Sequence, residues 1–257
     1  MNAISKISSS LDVAQLHIIQ EFHISVCDFS IVFQPIYDIR NQSIRYMEAL
    51  LRTKDQRFSN PLEVVEYFVN KGKSDVLTVM LFQLCETYIK LFARNGILTT
   101  INFEPQQIAS KRFVPLLKKI FQNMRMCPGS VLLEVTERDC PEKYRSQFIS
   151  NLLKLKKLGF RVAIDDFGVA NSNFDLLSEV PFDLIKLDMF FLRNAMTSPI
   201  HFSLLEVCSS LQKKIGIPVC IEGIENDELL DLVKRLNVDY AQGYGLGRPK
   251  PFDELHY

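Results

Sequence analysis

No surplus charge of either sign marks this sequence: 30 basic residues stand against 30 acidic ones. A broad polyanion-binding surface is not expected, so bulk nucleic acid is disfavoured as a partner, while a small phosphorylated ligand needs only local charge. No CxxC pair occurs among Cys27, Cys85, Cys127, Cys140, Cys208 and Cys220. Most of these thiols have apolar neighbours, which reads as reduced, mostly buried cysteines of a cytoplasmic protein and not as a disulfide framework. No apolar signal region opens the chain, since Met1 to Asp12 is polar and serine-rich. No stretch is read as approaching the length of a membrane span, and no membrane insertion is expected. Glycine and proline are modest, at 10 and 11 of 257 residues, while hydrophobic residues make up 47%. Such a chain is not disordered and can bury a large core.

What is present is a rhythm. Residues 9–26 carry Leu11, Val13, Leu16, Ile19 and Phe22 at helical spacing, which predicts an N-terminal helix packed on the body or on a protein partner. Residues 1–28 are taken as a helical extension and 29–257 as one domain, because no linker or composition shift divides the remainder. Strands are predicted over 30–36 and 44–51, too close for a helical crossover and so an antiparallel hairpin. Further strands are predicted over 97–102, 131–135, 160–164, 184–187, 218–221 and 240–243. Helices are predicted over 61–69, 75–94, 105–126, 142–158, 174–177, 189–215 with an interruption near Pro199, 227–236 and 251–255. Strands alternating with helices about every 30 residues give an α/β fold with a parallel sheet. The count of eight predicts a modified (β/α)8 TIM-type barrel with one antiparallel strand. A doubly wound open sheet is the alternative, but no GxGxxG follows any strand.

In a barrel the carboxyl ends of the strands form one rim. That rim would hold Glu48, Asn102, Glu134, Asp165 with Asp166, Lys186, Glu222 and Gln242, with Gln34 on the hairpin strand and Arg52 just after Glu48. One acid after a strand is ordinarily a helix cap, and Asp165 or Asp166 alone admits that reading. Acids and amides on almost every strand are harder to explain as caps. Two adjacent carboxylates raise each other's pKa, and a divalent cation resolves the conflict. Glu48, Asn102, Glu134, Asp165, Asp166 and Glu222 are all hard oxygen donors, a set that suits Mg²⁺ or Mn²⁺. More carboxylates converge than one ion needs, which admits two metals about 3.5–4 Å apart. His17, His23, His201 and His256 end no strand, which argues against zinc. Lys186 is the one basic strand-end residue; its ammonium would orient a water or neutralise charge at phosphorus, or else pair structurally with Asp188. Arg52 matches a phosphate clamp through its planar fork.

These residues fall into short motifs in one order: Gln34-Pro35-Ile36, Glu48-Ala49-Leu50-Leu51-Arg52, Ile101-Asn102, Leu133-Glu134-Val135-Thr136-Glu137, Ile164-Asp165-Asp166-Phe167-Gly168, Ile185-Lys186-Leu187-Asp188, Ile221-Glu222-Gly223-Ile224-Glu225 and Gln242-Gly243-Tyr244. The series resembles the EAL-type cyclic di-GMP phosphodiesterases over residues of about 30 to 255. The resemblance implies metal-dependent hydrolysis of one phosphodiester of cyclic di-GMP to linear 5′-pGpG, lowering that messenger in bacterial signalling. It implies metal ligation by Glu48, Asn102, Glu134, Asp165, Asp166 and Glu222, with Lys186 assisting the attacking water and Glu48, Asp165 and Glu222 sharing in the chemistry. Gln34, Leu50, Arg52, Asp188 and Gln242 would contact or orient the nucleotide, Glu137 would brace the loop after Asp166, and a homodimer would form near that loop.

The loop itself departs from the family pattern. Asp-Asp-Phe-Gly-Thr-Gly-Tyr-Ser-Ser is common there, whereas this chain has Val169 and Ala170 in place of the threonine and second glycine. Alanine resists the positive φ that glycine accepts. The segment from Lys54 to Asn60 also lacks the family's usual His-Pro loop. Two functions follow as readings: an active phosphodiesterase, or a catalytically weak relative acting as a cyclic di-GMP receptor or protein-interaction regulator. An unrelated barrel phosphohydrolase is a third.

Overall fold

The computed structural model describes residues 26–136, 140–168 and 174–255. Eight strands close a barrel in chain order: β1 (Phe29–Asp38), β2 (Ser43–Thr53), β3 (Leu98–Phe103), β4 (Val131–Thr136), β5 (Arg161–Phe167), β6 (Leu184–Leu187), β7 (Val219–Ile221) and β8 (Tyr240–Ala241). β1 runs antiparallel to both neighbours, β2 and β8. Every other neighbouring pair is parallel. This is the expected eight-stranded barrel with one reversed strand. The expected N-terminal helix falls on residues outside the described ones; the description starts with a single 3-10 turn, Val26–Asp28.

Strand side chains alternate between the two faces of a sheet, and that alternation builds the barrel interior in layers. Ile36, Tyr46, Leu98, Leu132, Ala163, Leu184 and Cys220, with Tyr240 against them, form a closed apolar cluster separate from the main core. It is the floor of the interior. Two residues further along the parallel strands come Glu48, Thr100, Glu134, Asp165, Lys186, Glu222 and Gln242. On the reversed strand the step is backwards, from Ile36 to Gln34, and Gln34 pairs in register with Glu48. One apolar layer thus supports one polar layer.

The outer faces of the strands pack on helices through the main core. Among the described residues the helices are α1 (Pro61–Asn70), α2 (Ser74–Arg94), α3 (Pro105–Ile108), α4 (Phe113–Met124), α5 (Glu142–Lys157), α6 (Phe174–Glu179), α7 (Met189–Ala195), α8 (Pro199–Ser209), α9 (Leu211–Ile215) and α10 (Asp227–Leu236). Phe33 on β1 is fully buried and meets Tyr88 and Phe92 of α2 edge-on, each at 5.1 Å. At 21 residues α2 is long and apolar enough to span a membrane by length and composition. It corrects the expectation that no stretch reaches that length; here 56% of its apolar window is buried within the fold.

Three predicted helices are cut differently, for local reasons. The helix expected over 105–126 stops at Ile108 and resumes at Phe113. Buried Asn151 donates through Nδ2 to the Ile108 carbonyl at 2.7 Å and the Ser110 carbonyl at 3.0 Å, taking acceptors a continuous helix would use. The segment over 189–215 breaks at Pro199, where Ser198 caps α8 by accepting from the His201 N–H. It breaks again after Ser209, where the Ser209 and Ser210 hydroxyls donate back to Leu205 and Val207 carbonyls; such back-bonding bends helices. The closing helix is only a 3-10 turn, Phe252–Glu254.

Gly223, just beyond β7, has φ +84°, and a Cβ there would stand 2.4 Å from the Met189 Cβ at the start of α7. Gly216 has a similar φ of +76° with nothing within 4 Å. Gly216→Ala should therefore cost only the left-handed backbone penalty, about 1–2 kcal/mol. Gly223→Ala adds overpacking and should cost about 2–4 kcal/mol. Urea unfolding of both variants checks this; equal losses would show that the Gly223–Met189 contact does not constrain the rim.

Candidate active site

The polar layer converges on one ammonium. Lys186 on β6 is 1% exposed. Its Nζ lies 2.7 Å from Glu222 Oε1, 2.9 Å from Glu134 Oε2, 3.2 Å from Asp165 Oδ1 and 3.9 Å from Glu48 Oε2. Structural pairing with Asp188 is not what the fold uses, for Asp188 instead accepts from the Phe190 N–H at 2.7 Å and caps α7. Glu48 is held from two sides: Asn102 Nδ2 donates to Oε1 at 2.8 Å and Gln242 Nε2 to Oε2 at 2.6 Å. Gln34 Nε2 donates to the Gly247 carbonyl at 3.0 Å, tying β1 to the chain after β8.

Four carboxylates around one cation leave excess negative charge, and ionisation responds to it. Burial would push Glu48 up, but the Lys186 ammonium and the bonds from Gln242 and Asn102 more than offset it, holding this carboxyl below its usual range. Burial dominates at Glu134 and drives it well above the carboxylate range despite Lys186. Asp165 is raised for the same reason, and Glu222 is pushed by burial up to about 8. Burial disfavours the Lys186 charge, yet Asp165, Glu134, Glu222 and Glu48 together raise it well above its ordinary value, so the lysine stays charged.

The same geometry suits a divalent cation. Carboxylate oxygens of Asp165, Asp166 and Glu222 lie within 4.8 Å of one another. Glu134 Oε1 and Asp165 Oδ1 are buried without a hydrogen-bond partner, although the latter lies near Lys186. Unpaired buried carboxylate oxygens are costly unless a cation or hydrogen bond meets them. Asp166 sits at φ +54°, a left-handed backbone uncommon for a residue with a side chain and tolerated best by Asp and Asn. All donors are hard oxygens, as Mg²⁺ or Mn²⁺ requires.

Above this layer opens a cavity of about 370 Å³. Gln34, Glu48, Leu50, Asp165, Lys186, Glu222 and Gln242 line it, so the fold brings these sequence-selected residues to one space. Glu134 lies beneath, fully buried, and Asn102 reaches the site through its bond to Glu48. Arg52 and Asp188 are not among the lining residues; Arg52 Nη1 donates to the Leu51 carbonyl at 2.8 Å. Glu137 lies outside the described residues. The cavity also includes Met189, Arg193, Glu225 and Tyr244, to which sequence reasoning assigned no role. One signal was available for the first two: α7 begins three residues after Lys186, which starts this helix at the rim.

The comparisons with known proteins point one way. A family model described as EAL domain matches residues 18–249. The probable cyclic di-GMP phosphodiesterase PdeA of Escherichia coli is 28% identical over 87% of this chain and 31% of its own length. The cyclic di-GMP phosphodiesterase RocR of Pseudomonas aeruginosa is 33% identical over 61% of this chain and 39% of its own. The chain thus spans about a third of the length of these curated relatives. The solved structure of an EAL domain protein from Listeria monocytogenes is 27% identical, with TM-score 0.74, over 88% of this chain and 90% of that one.

The raised Glu222 carboxyl has a thermodynamic consequence. In the unfolded chain it ionises near 4.5, and in the folded, metal-free protein near 8. Between those values the folded state holds the extra proton. The stability this group contributes is therefore full below about pH 4.5 and is lost as pH rises towards 8. Metal-free protein should melt at lower temperature at pH 8 than at pH 5.5, Glu222→Gln should flatten that slope, and Mg²⁺ binding at pH 7 should release protons, seen by calorimetry in buffers of different ionisation enthalpy. Stability that rises through this window, with binding that releases no proton, would contradict the assignment.

Proposed function

The chain belongs to the EAL domain family, and from that premise we propose that it hydrolyses cyclic di-GMP to linear 5′-pGpG in a metal-dependent reaction. The observation that carries this reading is the complete oxygen-donor layer around Lys186, set beneath an open cavity. Relatives named as cyclic di-GMP phosphodiesterases support the substrate.

Glu48, Asn102, Glu134, Asp165, Asp166 and Glu222 would hold one or two Mg²⁺ or Mn²⁺ ions. When bound, such ions polarise a phosphoryl oxygen and lower the pKa of water. The remaining work falls to the chain. A water oxygen joins phosphorus as one P–O bond breaks, and the departing ribose oxygen ends protonated. Lys186 would assist the attacking water, with Glu222 beside it in the cavity, 2.7 Å from its Nζ. Lys186 keeps Glu134, Asp165 and Glu222 at fixed separations and offsets charge gathering at phosphorus. Asn102 and Gln242 hold both oxygens of Glu48, so this acid does not have to reorganise during reaction. Gln34, Leu50 and Gln242 would contact the nucleotide within the cavity, with Arg52 and Asp188 at its margin. Glu137 would brace the loop after Asp166.

Ile200, Leu204 and Val207 are exposed along one face of α8, next to exposed Phe190 and Met196; this apolar stripe supports a homodimer. Among the described residues no disulfide joins the cysteines, of which only Cys85, Cys208 and Cys220 are buried, fewer than expected; reduced thiols suit the cytoplasm. Residues 1–28 would form a helical extension that packs on the barrel or meets a protein partner.

Purified protein incubated with cyclic di-GMP, with and without Mg²⁺ or Mn²⁺, should yield pGpG by chromatography only with metal. Glu48→Ala should lower kcat by at least about 1,000-fold with the barrel still folded by circular dichroism, since a rim ligand serves chemistry more than packing. Near-normal turnover in Glu48→Ala would overturn the ligand assignment. Tight binding of intact cyclic di-GMP without product would assign a receptor role instead.

A further inference from the structure

The even charge balance of the chain conceals an uneven distribution. Of the 30 residues of each sign, 12 basic and 4 acidic lie within residues 105–162, leaving 18 and 26 for the rest. Among the described acids of that stretch, Glu134 is fully buried in the barrel interior and only Glu142 reaches the surface. The excess stands on α4 and α5. Lys111, Lys118 and Arg125 are exposed and recur every seven residues along α4 and its flanks, about two helical turns apart, so they form one line. Lys119 points the other way, into a cleft shared with Val79 and Gln83 of α2; the Lys111 line therefore lies on the α5 side. On α5, Lys143, Lys154 and Lys157 are exposed on the face opposite buried Phe148, Leu152 and Leu155. Asn151 of α5 binds the Ile108 and Ser110 carbonyls just before α4, and Tyr144 shares a cleft with Lys111. The two helices thus run side by side, and their two lines of cations make one face, about 24 Å long for the 16 residues of α5.

Helix stability does not explain this face. Lys154 and Lys157 suit the negative carboxyl end of α5, but Lys143 stands in its first turn, where a cation is unfavourable. Neighbouring basic residues off the face have acids beside them: Arg112 has Asp75, Arg145 has Glu179 and Lys156 has Asp183. Glu142 lies on the far flank of α5, turned about 100° from Lys143. The outward positions between the six cations are neutral, Gln122, Ser146 and Ser150 among them. Five of the six are lysines, compact charges on flexible stems. Lacking arginine's planar fork, they suit a diffuse, mobile negative surface better than a fixed pair of acceptors. Exposed Tyr144 and Leu158 stand at the two ends of α5, on the α4 side, and Lys143 Nζ lies 4.7 Å from the Tyr144 ring centroid. Lysines edged by an aromatic ring and a leucine are the chemistry of a helix lying on lipid headgroups. A nucleic-acid duplex would instead call for forked donors reaching base edges in a groove. We propose that the α4–α5 face adsorbs to an anionic lipid bilayer at the level of its headgroups. Both helices run along the barrel wall, so the barrel lies on its side and the strand-end cavity opens along the membrane, free of it. Adsorption is therefore independent of hydrolysis.

Sedimentation of the full chain with lipid vesicles tests this. Phosphatidylcholine vesicles containing about 30% phosphatidylserine should carry the protein down at low salt, and the bound fraction should fall as salt rises. Pure phosphatidylcholine vesicles should leave it in solution. A triple variant, Lys118→Gln with Lys154→Gln and Lys157→Gln, should partition at least about 30-fold more weakly with its circular dichroism unchanged. A matched variant on α9 and α10, Lys213→Gln with Lys214→Gln and Lys234→Gln, loses the same charge elsewhere and should bind within about twofold of wild type. The chain has no tryptophan, so Tyr144→Trp introduces a single reporter, whose emission should move to shorter wavelength on the anionic vesicles. Equal sedimentation with both vesicle types, full binding by the first triple variant, or equal losses in the two triple variants would overturn the proposal. An unmoved emission from vesicle-bound Tyr144→Trp protein would overturn it too, by placing another face on the lipid. Tighter binding to a DNA duplex than to the anionic vesicles would likewise overturn it and assign the face to a polynucleotide.

Discussion

The structure turns on one buried ammonium. Lys186 is enclosed in the barrel interior with Glu48, Glu134, Asp165 and Glu222 within 4 Å of its Nζ. Each carboxylate comes from a different strand, so the ion cluster exists only when the barrel is closed in the right register. A one-residue slip of any strand would turn its acid outward and bring an apolar side chain into the layer. Burying such a cluster is expensive, and one lysine cannot neutralise four acids. The fold answers with an apolar floor below, amide donors on both oxygens of Glu48, and retained protons on the acids that burial raises. A divalent cation would take the place of those protons.

The cavity divides into two chemistries. Its base is made of strand-end residues, a layer of carboxyl and amide groups around one ammonium. Its wall is made by α7 and by the segments after β7 and β8, and combines a flat ring with an exposed ion pair. α7 is packed tightly against the backbone that follows β5 and β7: a Cβ on Gly223 would meet Met189 at 2.4 Å, and one on Gly168 would meet the Phe191 ring at 2.5 Å. Positioning of the acids at the ends of β5 and β7 therefore depends on the seating of this one short helix, which also carries Arg193.

Much of this was legible in the sequence because barrels convert period-two patterns into layers. Tyr46 and Glu48, Leu132 and Glu134, Ala163 and Asp165, Leu184 and Lys186, Cys220 and Glu222 each read as apolar then polar, two residues apart at a strand end. A pattern this local is enough to place the polar layer at the strand ends. The parts that were not legible depend on distant partners. Asn151 breaks the helix over 105–126 from more than 40 positions away. The partners of Lys186 come from four other strands, whereas the sequence offered Asp188 as its neighbour. Arg193 and Tyr244 belong to a helix and a loop, where strand periodicity says nothing about which side chains face a cavity. Glu137 and the altered segment 169–173 fall outside the described residues, and their expected roles stand as proposals.

Anomalous diffraction from crystals soaked in Mn²⁺ tests the central claim most directly. The account predicts a strong peak in the polar layer, about 2.0–2.3 Å from oxygens of Asp165 and at least two of Glu48, Asn102, Glu134, Asp166 and Glu222. A fully occupied lattice with no peak there, or with manganese only at surface carboxylates, would contradict it: Lys186 alone would then be the cation that this acidic layer was built to hold.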